Sequence, residues 1–105
     1  MSLIETLRVI HFDRDRRILS IAEYHGNAAH VVMPLRTIIA DALRLGSSGL
    51  LLSHNHPSGD PTPSRADISA TQRLMRTAHA LDIRVHDHLI FGGTRRFSLR
   101  AAGLI

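Results

Sequence analysis

Between Thr6 and Phe12, apolar and polar residues alternate with the period of two that a half-buried strand requires. A polar turn from Asp13 to Arg17 leads into a second run of strand character, Ile18 to His25, and the pair reads as an antiparallel hairpin. Gly26 and Asn27 mark the next turn, and Ala29 to Met33 is apolar and β-branched enough to predict a third strand. The period then changes. Pro34 suits the first turn of a helix, and Leu35, Ile38, Ile39, Ala42, Leu43 and Leu45 keep helical spacing as far as Gly46, a natural stop. Gly49 to Ser53 is an unbroken run of strand length, as expected for a central strand covered on both faces. Regular structure is excluded from Pro57 to Pro63. Beyond it, Ser64 stands before a long segment to Leu81 with Ile68, Leu74, Met75, Ala78 and Leu81 on one helical stripe. Val85 to Phe91 predicts a further strand, Gly92 and Gly93 a turn, and Arg96 to Leu99 a last strand partner.

Strands interleaved with helices over 105 residues predict one α/β domain spanning residues 1–105. With 44% hydrophobic and 21% charged residues, the composition is that of an ordinary folded globule, which excludes disordered and fibrous classes. No apolar run approaches the ~18–20 residues of a membrane span, and Glu5 interrupts the segment where a secretory signal would need apolar residues, so a cytoplasmic protein is expected. Cysteine is absent, so any metal must be held by nitrogen and oxygen. All 13 basic residues are arginine and the formal charge is +4. That excess leaves nucleic acid open as a partner, but the arginines are spread along the chain rather than gathered in a block.

The stretch LLLSHNHPSGDPTPSRAD, Leu50 to Asp67, carries the chemistry. In an extended backbone residues two apart point to one side, so His54 and His56, at the end of a buried strand, aim both imidazoles the same way. Asp67 falls in the first turn of the next helix, and the intervening loop folds that turn back over the strand end. Taken alone, Ser64 with Asp67 is a helix-start pattern and a lone histidine is an ordinary polar residue. Two histidines on one face followed by an acid placed to reach them predict three metal ligands: His54, His56 and Asp67. Asp60 is the alternative oxygen ligand, although Ser-Gly-Asp-Pro also reads as a turn. The contiguous His-Asn-His is no evidence for an HNH nuclease, and a zinc nucleoside deaminase would need cysteines that are absent.

His54-Asn55-His56, seven residues, Ser64, two residues and Asp67 resembles the His-x-His-x7-Ser-x2-Asp signature of JAMM (MPN+/JAB) metalloprotease domains. The fuller HNHPSGDPTPSRAD, with VHDHLIFGG downstream, is similar to the RadC branch of that superfamily, and the likeness extends over nearly the whole chain. The helix-hairpin-helix-like region that RadC proteins usually add is not among these residues. The resemblance implies a cytidine-deaminase-like α/β fold, a mixed sheet flanked by helices, with one zinc on His54, His56 and Asp67 and a fourth position left to water. It further implies a general base drawn from an early strand. The chain has two glutamates, Glu5 and Glu23. Glu23 shares parity with Leu19 and Ile21 and is expected to point with the buried face, whereas Glu5 lies near a terminus expected to fray. Glu23 is therefore the predicted base, and Ser64 the predicted donor to the bound water or the oxyanion, a role compatible with capping the helix.

Asp87 and His88 match the downstream RadC element. In a regular strand His86 and His88 would share a face and Asp87 the other, so a structural role or a supporting hydrogen bond is favoured over ligation. His11, His25, His30 and His79 show no partner spacing and are expected at the surface or satisfied in the core. The expected activity is zinc-dependent hydrolysis of a peptide or isopeptide-like amide. The rival reading, from the DNA-repair label of the RadC branch, is a metal-stabilised binding or scaffold module, its zinc closed by His88 or Asp60. Open strand edges leave a homodimer as an available assembly.

Overall fold

The computed structural model describes residues 4–26 and 31–105. The hairpin forms where the alternation places it, as β1 (Thr6–Phe12) and β2 (Ile18–His25), and the turn between them is held by Asp13, whose Oδ1 accepts the Asp15 and Arg17 N–H groups at 2.9 Å each. Helix α1 (Leu35–Leu45) ends at Gly46, whose φ of 70° is the left-handed stop glycine tolerates. Then follow β3 (Gly49–Asn55), α2 (Arg65–Ala80), β4 (Arg84–Gly92) and β5 (Arg95–Ser98). The sheet order is β2-β1-β3-β4-β5, with β3 and β4 parallel and every other pairing antiparallel. This is the expected single-domain α/β architecture with a mixed sheet.

Both helices lie on one face. Ile38 and Ala42 of α1 and Leu74 and Ala78 of α2 close over Leu7, Val9, Leu50, Leu52 and Val85 in a single core. Removing that much apolar surface from water is the main stabilising contribution. The opposite face stays open among the described residues. Ile21 and Ile18 of β2 are 53% and 59% exposed, and Leu51 is only half-buried although its neighbours Leu50 and Leu52 are fully buried. The expectation that β3 is covered on both faces is therefore corrected: its apolar run serves one packed and one open face.

The predicted strand at Ala29 to Met33 also needs revision. Ala29 and His30 lie outside the described residues. Val31 to Met33 form no strand: Val31 and Met33 pack against the core, Val32 is exposed, and this irregular chain enters α1 through a Leu35 N–H to Met33 carbonyl bond of 3.0 Å.

A bulge falls in the β3–β4 ladder, where Leu50 faces Val85 but Leu51 faces Asp87. His86 is the extra residue. Its ring stands over Gly49, where a Cβ would collide with it, and packs edge-on against Phe12. His88 consequently turns into the core, and the expectation that His86 and His88 share a face fails because His86, as the bulged residue, falls out of the ladder's alternation.

Candidate metal centre

The antiparallel register of β1 and β3 sets Leu7 opposite His54, so the residues just before β1 lie beside the end of β3. Glu5 is there. It is 3% exposed, its Oε1 touches His54 Nε2, and it lies 3.6 Å from His56 Nε2. Asn55, between the two histidines, points the other way and ties down the chain that carries Glu5. Its Oδ1 accepts the Thr6 N–H at 2.6 Å and its Nδ2 donates to the Ile4 carbonyl at 3.1 Å.

From the other side comes α2. Ser64 caps it: Ser64 Oγ accepts the Asp67 N–H at 3.0 Å, while Asp67 Oδ2 accepts the Ser64 N–H at 2.9 Å, a reciprocal capping box. The same carboxylate faces the imidazoles, with Oδ2 at 3.2 Å from His56 Nε2 and Oδ1 at 3.8 Å from His54 Nδ1. The acid thus caps the helix while still presenting both of its oxygens to the imidazoles.

The loop between β3 and α2 is held against β4. The His56 N–H donates to the Phe91 carbonyl at 2.7 Å, and Gly59 to Pro61 pass so close to Gly92 that a Cβ there would lie 2.6 Å from the Pro61 nitrogen. His56 Nδ1 is 2.9 Å from the Asp60 carbonyl, an acceptor only, so Nδ1 donates there and Nε2 is left facing the Glu5 and Asp67 carboxylates. Asp60 itself does not join the cluster. Its Oδ1 accepts the Thr62 N–H at 3.0 Å, which holds its carboxyl below the ordinary range, as the turn reading required.

One donor atom from each of Glu5, His54, His56 and Asp67 falls in a group whose members all lie within 4.8 Å of one another. Two carboxylates with side chains 4% and 12% exposed are costly to bury without a compensating cation. His54 Nδ1 is buried without a hydrogen-bond partner. Burial lowers the His54 pKa against the pull of Asp67 and Glu5, favouring the neutral ring that a metal requires. A cysteine-free set of two imidazoles and two carboxylates thus fits a divalent ion such as zinc.

Glu23 is elsewhere, and here the sequence reading is corrected. It does share parity with Leu19 and Ile21, but that is the open face of the sheet. Its Oε1 accepts from Arg8 Nε at 2.8 Å across the β1–β2 ladder, and this bond lowers its pKa. The glutamate beside the histidines is Glu5, passed over as terminal. Asn55 was also missed; the signal was its parity, opposite to that of both histidines and toward β1.

Residues 1–104 match the RadC-like JAB domain. The chain belongs to that family. UPF0758 proteins from Rhodobacter capsulatus and Ruegeria pomeroyi are 44% and 42% identical to it over 102 residues, 96% of this chain in each case. The match covers 48% and 46% of those proteins, so the chain spans about half the length of these curated relatives. JAB membership agrees with the fold and with a metal-binding arrangement of Glu5, His54, His56 and Asp67. No described helix is long and apolar enough to cross a membrane.

Proposed function

We propose that this domain is a zinc-dependent hydrolase of the JAMM type that cleaves a peptide or isopeptide-like amide bond. The observation that carries the reading is the convergence of His54, His56 and Asp67 with a buried glutamate, Glu5, at one end of the sheet. Zinc on the two histidines and Asp67 would supply Lewis-acid activation of water and of the amide carbonyl. Glu5, rather than Glu23, takes the proton of the attacking water and returns it to the leaving nitrogen. Ser64 Oγ, which accepts the Asp67 N–H, keeps its own proton to donate to the substrate carbonyl oxygen as charge develops there. A cavity of about 280 Å³, lined by Leu7, Met33, His54, Ser64, Asp67 and His88 among others, gives the substrate an apolar wall beside these groups.

The test is elemental analysis of protein purified without added metal, followed by assay on peptide- and isopeptide-linked substrates before and after chelation. Bound zinc, and turnover lost on chelation and restored by zinc, supports the reading. Metal-free protein that gains neither zinc nor activity on adding zinc would falsify it.

The same four side chains favour a second reading. With Glu5 as fourth ligand the site is closed, as structural zinc sites are, and the domain becomes a metal-stabilised scaffold or nucleic-acid-associated binding module. Glu5→Gln separates the two. A general base leaves zinc bound and removes turnover; a fourth ligand takes zinc affinity with it.

A further inference from the structure

We propose that His88 is a positioning residue that fixes the orientation of His54 and, through Thr71, the start of the helix that carries Asp67. The inference rests on the metal-binding reading of those residues. His88 is 1% exposed, and its ring stacks on that of His54 with centroids 5.4 Å apart and planes 29° apart. It is the second ring packed on His54, since His56 stands edge-on at 4.8 Å. His54 therefore has an aromatic neighbour on two sides and the Glu5 carboxylate at its Nε2, an arrangement that limits rotation of the imidazole.

The proton count fixes the rest. Thr71 Oγ lies 2.6 Å from the Asp67 carbonyl and 2.8 Å from His88 Nδ1. A hydroxyl has one proton to give, and a carbonyl oxygen can only accept. Thr71 donates to Asp67, so His88 must donate from Nδ1 to Thr71 Oγ. One chain of contacts thus runs from the first-turn backbone of α2, through a hydroxyl, into an imidazole that lies against the other ligand. The bulge at His86 makes this reachable, because it turns His88 to the packed face of the sheet. Groups one step removed from a metal commonly change its affinity 10–100-fold when lost.

A satisfied core histidine would show the same burial, so the experiment must read the ion rather than the fold. Zinc affinity is measured by competition with a chromophoric chelator, and the cobalt-substituted visible spectrum is recorded, at a temperature where each metal-free variant is fully folded by circular dichroism. His88→Phe keeps a ring against His54 and loses the donor. Thr71→Val keeps the shape and loses the hydroxyl, while Thr71→Ser keeps the hydroxyl.

Zinc affinity is expected to fall roughly 10-fold in His88→Phe and in Thr71→Val, to fall no further in the double variant, and to return in Thr71→Ser. The cobalt spectrum should shift in the two weakened forms. Should His88→Phe fail to fold, the Thr71 pair carries the test alone. Variants that bind zinc within twofold of the parent, with unaltered cobalt spectra, overturn the proposal while leaving the metal centre standing. A parent protein that takes up no zinc removes the metal centre and this inference together.

Discussion

The Asn55 side chain accepts the Thr6 N–H and donates to the Ile4 carbonyl, completing by side chain the ladder that β1 and β3 leave unfinished. Glu5 lies between those two contacts. A residue pointing away from the histidines thus sets the carboxylate that meets them. Asn55→Ala removes both bonds and should cost about 1–3 kcal/mol in urea unfolding. Turnover in the same variant should drop as Glu5 loses its anchor, and steady-state kinetics that find no change would remove Asn55 from the site.

The two glutamates should behave in opposite ways. Glu5→Gln is expected to lower turnover by about 10²–10⁴ if Glu5 moves protons as proposed. Glu23→Gln disturbs only solvent-exposed pairings with Arg8 and His25, so metal content, melting temperature and turnover should match the parent. Steady-state kinetics of the two variants side by side decide the assignment.

Ser64 carries a stability role and a proposed chemical one, and substitution can divide them. Ser64→Ala should destabilise the fold by about 1 kcal/mol through the lost cap. Ser64→Asp restores a cap acceptor without restoring the hydroxyl donor. Recovered stability with turnover still depressed supports the donor role; turnover recovered along with stability argues that Ser64 only caps.

Gly92 holds its place because the loop backbone leaves no room beside it. In Gly92→Ala the new methyl meets the backbone of residues 59–61, which must shift and take the Asp60 carbonyl, the partner of His56 Nδ1, with it. Reduced zinc affinity is expected together with a lower melting temperature. Normal values of both would show that the loop yields freely.

Acid sensitivity should have a component far from the metal. His11 is fully buried on β1, its Nδ1 2.8 Å from Ser47 Oγ, and burial holds its pKa below the ordinary 6.5 despite the pull of Asp41, with Arg44 adding to the depression. The unfolded chain therefore takes up this proton at a higher pH than the folded one. Stability is present above pH 6.5 and is lost as pH falls toward the folded value, at up to about 1.4 kcal/mol per pH unit. In His11→Asn, measured by urea unfolding with a chelator present, the decline over that window should be shallower than in the parent; parallel curves would contradict it.

The alternation in residues 6–12 and 18–25, the stop at Gly46 and the cap at Ser64 are local signals, and each element they predict forms at or within a residue or two of its expected bounds. The histidine–histidine–aspartate spacing is local in the same sense. What the sequence could not show depends on partners distant along the chain. The parity of Glu23 is legible in the sequence, but which face the helices cover is a property of packing. The bulge that separates His86 from His88 leaves no trace in composition. Glu5 was discounted for its position near the chain start, whereas its environment is set by a strand 49 residues away.

That separation has a kinetic consequence. A nascent or unfolded chain offers an ion only the short His-x-His pair and a nearby acid, while the complete pocket appears once the first strand has docked beside the third. On the proposed metal-binding reading, tight capture of zinc should therefore lag behind formation of the local hairpin and helices, making ion uptake a clock for the docking of the first strand beside the third.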